Sequence, residues 1–263
     1  MIAATKPLAG LNIVVTRPTH QAGELAAGIR AAGGNPVMFP ALEIRDARDQ
    51  RALLDLIARL DQFDLAIFIS PNAVNKAMNL IGKQRKLPSG LQIATIGRGG
   101  VRALQNFGIN EAIVPTARFD SEALLEMAEM QQMEGKRVVI FRGEGGRELL
   151  GNTLEKRGAS LEYAVCYHRS KPDIDTHAIE VLLKAWSHDD LHAITVTSCE
   201  SLQNLFDMVG EPGRQWLKKT PVFVPHERIA QAARKLGLAR VVVTAIGDEG
   251  LLSGLQAYFR KKS

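Results

Sequence analysis

The chain repeats itself. IFISPNAVNKAMNLIG at 67–82 recurs as ITVTSCESLQNLFDMVG at 194–210, with Ser70 over Ser198. ATIGRGGVRALQNFGI at 94–109 recurs as FVPHERIAQAARKLGL at 223–238, and DSEALL at 120–125 lies over GDEGLL at 247–252. Three successive units therefore return in one order at an offset of 127–129 residues. A looser match sets VVTRPTHQAGELAAGIRAAG (14–33) over VIFRGEGGRELLGNTLEKRG (139–158), with Arg17 over Arg142 and Glu24 over Glu148. Solenoid repeats run to about 20–50 residues, so a period this long describes a duplicated domain. A chain of 263 residues is long enough to give each copy a core of its own.

Each repeated unit reads as a strand followed by a helix. Short β-branched runs begin at 11 (LNIVVT), 64 (DLAIFIS), 91 (LQIATI), 111 (EAIVP), 137 (RVVIF), 192 (HAITVT), 221 (PVFVP) and 240 (RVVVTAI), and amphipathic stretches follow them. These runs are apolar without strict alternation, as expected where helices cover both faces of a parallel sheet. Ser70 before Pro71 predicts a helix start, and Thr197-x-x-Glu200 reads as a capping box. Gly33, Gly108, Gly158 and Gly237 stand where helices should close. NPVMFPALEIR (35–45) and LEYAVCYHRSKP (161–172) read as extended segments, and prolines at 36, 40 and 172 predict edge strands or connectors for them.

Composition narrows the function. No apolar run approaches the roughly 20 residues that span a bilayer, and the N-terminus reads as a first strand, not an export leader. Cys166 and Cys199 lack C-x-x-C spacing and fit reduced structural thiols in the cytoplasm. A net charge of +5, with 5% aromatic residues and no recognition motif, argues against nucleic acid and for acidic small molecules.

The familiar catalytic motifs fail on inspection. Glu148 stands where the last glycine of G-x-G-x-x-G would fall in RGEGGRE, and Arg102 stands there after GRGG, so no dinucleotide fingerprint survives. The pair His188 and His192 cannot form a helical metal site, because a strand begins at once. Ser70, Ser198 and Cys199 lack a G-x-S-x-G elbow and suit helix starts better than nucleophilic catalysis.

The strand-to-helix turns carry the chemistry. In open parallel sheets ligands sit at the carboxyl ends of the strands, against helix N-termini with free N–H groups and a partial positive charge. Here those turns hold Arg17, Ser70 with Asn72, Arg98 with Gly99, Arg142 with Gly143 and Gly145, Ser198, and His226 with Arg228. Cations, hydroxyls and bare backbone amides arranged this way suit a small molecule with several carboxylates. A non-catalytic two-lobed binding protein for such a polyanion fits the same pattern.

Seven turn segments taken in order resemble the uroporphyrinogen-III synthase family: TRP (16–18), FPALEI (39–44), ISPNAV (69–74), RGEGGRELL (142–150), CYHR (166–169), TSCESLQNL (197–205) and PHERIA (225–230). The resemblance runs from about residue 11 to 255. It implies an α/β fold of two similar flavodoxin-like parallel domains joined by a two-stranded connector. One domain would combine 1–37 with 172–263, the other would be 43–165, and 38–42 and 166–171 would connect them. The repeat by itself would have cut the chain near 130.

The resemblance also implies an activity: closure of hydroxymethylbilane, a linear tetrapyrrole with acetate and propionate on every ring, into uroporphyrinogen III. Ring D inverts through a spiro intermediate and water is released. No metal or organic cofactor is implied, and a cytoplasmic monomer working beside the preceding and following pathway enzymes is expected. Tyr167 matches the family's cleft tyrosine, and a phenol, protonated at neutral pH, can donate to a departing hydroxyl. Two departures stand out. Gly100 replaces a threonine found in some members, and His226-Glu227-Arg228 replaces small hydroxyl residues, so contacts through the main chain are the shared element.

Overall fold

The computed structural model describes residues 6–260. They form two compact units: one runs through Glu43 and resumes at Ser170, and the other spans Ile44–Arg169. The strands are β1 (Asn12–Val15), β2 (Asn35–Met38), β3 (Glu43–Asp46), β4 (Leu65–Phe68), β5 (Gln92–Thr95), β6 (Arg137–Gly143), β7 (Ser160–Ser170), β8 (Ala193–Thr195), β9 (Val222–Val224) and β10 (Val241–Val243).

The first unit holds a five-stranded sheet in the order β10-β9-β8-β1-β2, parallel at every pairing. Counting its strands in chain order gives 2-1-3-4-5, the flavodoxin-like arrangement, in which the winding reverses between β1 and β8. The second sheet reads β3-β7-β6-β4-β5. Its β7-β6-β4-β5 portion follows the same order once β6 is set over β1, as the sequence repeat demands. The reversal there lies between β6 and β4, which pair in parallel.

Period-two alternation explains why the strands look uniformly apolar. Ala66, Phe68, Val139 and Phe141 enter one core cluster, while their neighbours Leu65, Ile67, Val138 and Ile140 enter another on the opposite face. The first unit does the same, with Val14 and Ile194 on one side and Ile13, Val15 and Ala193 on the other. Phe68 and Phe141 stack at 4.6 Å across β4 and β6. The helix-closing glycines Gly33, Gly108, Gly158 and Gly237 all lie in the left-handed region, at φ between 78° and 92°.

Three expectations need correction. The strand expected at EAIVP is reduced to one parallel bridge, Ala94 with Ile113. Ile113 donates to Ile93 O at 2.8 Å and accepts from Thr95 N at 2.9 Å, but the next rung needs an N–H at position 115, which is proline. In the first unit the matching residue, Thr244, makes that bond to Val224 O at 2.9 Å, and β10 forms. The capping box at Thr197 is out of frame by one: Ser198 caps the helix Cys199–Met208, accepting from Ser201 N. Finally, 161–172 is not an edge: β7 runs between β6 and β3, and the chain passes from one unit to the other at its end, between Arg169 and Ser170. Pro172 lies past the end of that strand, so every residue of β7 has an N–H to give.

Candidate active site

The switch point of the second unit is built by the carboxyl ends of β4, β6 and β7. After β4 the chain turns at Ser70, whose extended backbone and side chain cap the helix Pro71–Gln84. Its Oγ accepts from Ala73 N at 3.1 Å and lies 3.1 Å from the Tyr167 hydroxyl. Tyr167 is 2% exposed.

A bulge aims Tyr167 there. The β6–β7 register pairs Arg142 with Val165 and then Gly143 with Tyr167, leaving Cys166 as the extra residue. In a regular strand Cys166 and Tyr167 would face opposite ways; with the bulge, Ala164, Cys166 and Tyr167 all join one core cluster. Gly143 makes room for the ring, for a Cβ at that position would sit 2.6 Å from two of its carbons. Glu144 N donates to Tyr167 O at 2.8 Å and closes the turn.

The remaining side chains of this unit divide by exposure. Arg142 is 7% exposed, lies 4.9 Å over the Tyr163 ring, and donates to Gly145 O. It therefore organises the glycine loop from inside, and a side chain at Gly146 would press on its guanidinium. Arg98 is exposed, 5.1 Å over the Phe119 ring, at the start of the helix Arg98–Gln105. A Cβ at Gly99 would lie 3.0 Å from Pro71, and one at Gly100 would meet Thr95 Oγ1 at 1.9 Å, so a larger residue there requires that side chain to move. That hydroxyl, donating to Phe68 O at 2.9 Å, spans β5 and β4. Asn72 is half-buried in the first turn after Ser70. Burial pushes the Cys166 thiol up to about 12, so it is no nucleophile at neutral pH.

In the first unit, β1 and β8 are locked by Thr16 Oγ1 to Thr195 O at 2.8 Å and Thr195 Oγ1 to Val14 O at 3.2 Å. Beyond them, Arg17 forms an ion pair with Asp248, and Ser198 caps its helix. His226 and Arg228 are exposed at the start of the helix Glu227–Lys235 after β9. The structure thus places Ser70, Asn72, Arg98, Gly99, Arg142, Gly143, Gly145 and Tyr167 in one unit and Arg17, Ser198, His226 and Arg228 in the other. Asp248 and Ser201 are partners that motif reading missed. The offset of the repeat was the available signal, since it sets Asp248 among the helix-starting acids of GDEGLL. His188 and His192 have separate backbone partners, and no cluster of three or more metal-ligating side chains occurs among the described residues.

A family model described as uroporphyrinogen-III synthase HemD matches residues 23–252. The chain is 34% identical over 249 residues to the uroporphyrinogen-III synthase of Escherichia coli (strain K12), covering 94% of this chain and 100% of that protein. A mutant uroporphyrinogen III synthase from the extremely thermophilic bacterium Thermus thermophilus superposes with TM-score 0.61 at 20% identity, covering 96% of this chain and 100% of the other. The uroporphyrinogen-III synthetase of Helicobacter pylori 26695 superposes with TM-score 0.58 at 14% identity and the same coverage. At such identities the two structures speak for the fold alone; the family rests on the sequence matches.

Proposed function

The chain belongs to the uroporphyrinogen-III synthase family, and on that premise we propose that it closes hydroxymethylbilane into uroporphyrinogen III, inverting ring D and releasing water. This makes it a cyclising hydro-lyase of tetrapyrrole biosynthesis, working as a cytoplasmic monomer between the enzymes that supply the bilane and consume the macrocycle.

The observation that carries the reading is the Tyr167 hydroxyl, brought to the switch point by a bulge, seated on Gly143 and placed 3.1 Å from Ser70 Oγ. Loss of a hydroxyl from a carbon next to a pyrrole needs a proton on the departing oxygen, and a phenol supplies one at neutral pH. Choosing the substituted carbon of ring D as the site of closure is a matter of positioning. Carboxylates around the bilane give many handles, and helix starts suit them. In this proposal Asn72, Arg98 and Gly99 hold carboxylates on one unit, and Arg17, His226 and Arg228 do so on the other, where Ser198 caps the helix start. Gly143 and Gly145 offer main-chain amides in a loop that Arg142 braces from beneath.

The deciding experiment is the isomer composition of porphyrinogen formed from hydroxymethylbilane with and without the protein. Type III product in excess of the spontaneous type I supports the proposal. Unchanged composition with tight binding of the bilane would make the protein a carrier.

A further inference from the structure

Ser70 and Ser198 stand at equivalent places in the two units, and the hydroxyl of each accepts the backbone N–H three residues on. A serine that accepts in this way still has one hydrogen to donate. Ser198 gives it to Ser201 Oγ at 2.9 Å, within its own helix. The helix after Ser70 has Ala73 at the corresponding position, which offers no hydroxyl, and Ser70 Oγ instead meets the Tyr167 oxygen at 3.1 Å. The duplicated cap therefore reaches beyond its own helix in one unit only.

From this asymmetry we infer that Ser70 is a positioning residue for the acid: its O–H donates to the Tyr167 oxygen, leaving the phenol's own proton directed at the substrate. The direction follows from the helix start. An Oγ already accepting Ala73 N–H, at the positive end of a helix, is a poorer acceptor for a second proton and a better donor of its own. As the phenol O–H bond breaks, its proton passes to the oxygen of the substrate's hydroxymethyl group. The C–O bond then breaks with its electron pair on oxygen, and water leaves. The tyrosinate, held by Ser70 O–H, recovers the proton that the ring carbon releases when the macrocycle closes. The inference rests on Tyr167 as the acid.

The test compares kcat, KM and unfolding of Ser70→Ala, Ser70→Thr, Ser70→Asp, Tyr167→Phe and the Ser70→Ala/Tyr167→Phe double variant, with hydroxymethylbilane as substrate. Asp175→Ala, which removes a side-chain cap from the helix Thr176–Ser187, controls for loss of a cap alone. Ser70→Ala should lower kcat by about tenfold, as expected for one lost hydrogen bond at a developing charge, with KM within about twofold. Ser70→Thr should restore most of it. Ser70→Asp keeps the cap but has no hydrogen to give when ionised, so it should lose kcat while still folding. In the Tyr167→Phe background Ser70→Ala should change kcat by less than about twofold. Wild-type kcat in Ser70→Asp, or losses that multiply in the double variant, would overturn the inference, as would a kcat in Tyr167→Phe equal to wild type. Failure of the wild type itself to yield type III product would instead remove the proposed function.

Discussion

Gly143→Ala is the sharpest probe of how the tyrosine is seated. The added Cβ would lie 2.6 Å from two Tyr167 ring carbons and 3.0 Å from its hydroxyl. Carbon atoms pack at about 3.5–4.0 Å, so the ring must withdraw by roughly 1 Å. Gly143 does not have a positive φ, so the substitution acts through this collision and not through backbone strain. Overpacking of this kind costs about 1–3 kcal/mol of folding stability. A withdrawal of that size also stretches the 3.1 Å contact with Ser70 beyond hydrogen-bonding range. Misplacement of a reacting group by about 1 Å can lower turnover on the order of 10²-fold. Turnover of hydroxymethylbilane to type III product and urea unfolding, measured on the same preparations, give both quantities. Combining the change with Tyr167→Phe separates them: the ring still collides, so the stability loss should persist, whereas little activity should remain to be lost. Wild-type stability and turnover in Gly143→Ala would mean that the ring has room, and the argument for its precise seating would fail.

Tyr167→Phe should lower turnover by at least about tenfold with the residual product still type III, read by chromatography of the oxidised porphyrins; equal turnover would make the tyrosine a packing residue. A thiol reagent at mild alkaline pH should label Cys199 in the native protein and Cys166 only after unfolding, because burial raises the latter thiol to about 12; prompt labelling of both would contradict the buried site. Glu162 receives the Arg59 fork at 2.9 and 2.7 Å, which holds its carboxyl below the usual carboxylate range. That stability is present above the unfolded carboxyl pKa of about 4.3 and is lost as pH falls through the lower folded value. Glu162→Gln should therefore be less stable than wild type at neutral pH, with the gap closing in acid; a gap independent of pH would rule the pair out. Pro115→Thr supplies the N–H that Thr244 provides in the other unit, so the amide at that position should exchange slowly with solvent, and fast exchange would show that the rung does not form.

How much of this was legible in the sequence depends on the range of the interaction. Ser70 followed by Pro71 announces its helix locally, and the repeat carries that cap to Ser198; the capping-box pattern pointed one residue too early because Glu200 lies three residues after Thr197, whereas the residue three after the true cap is Ser201. The apolar strands predicted a sheet covered on both faces, and alternate residues entering separate cores bear that out. The seat of Tyr167 was not legible, because it depends on a register shift between strands that no local pattern records. Arg142 reads as a free cation in a glycine-rich turn, yet its burial over Tyr163 follows from a neighbour across the sheet. Arg17 likewise finds Asp248 at a separation of 231 residues, well beyond any motif.

The interleaving of the two units sets an order of events on the ribosome. Within the Ile44–Arg169 unit, distant partners such as Asp64 and Arg137 are 73 residues apart, and the whole sheet is available once β7 has emerged. In the other unit β1 pairs with β8 across a separation of 180 residues, so β1 must wait for a strand made after the whole of the inserted unit. Domains fold largely as units as synthesis proceeds, at about 5–20 residues per second, and long-range pairings close slowly. The inserted unit is therefore complete while β1 and β2 still present open edges. For some seconds of each synthesis cycle the nascent chain consists of a finished module carrying two N-terminal strands whose sheet is not yet made, and that interval is when it is most exposed to aggregation.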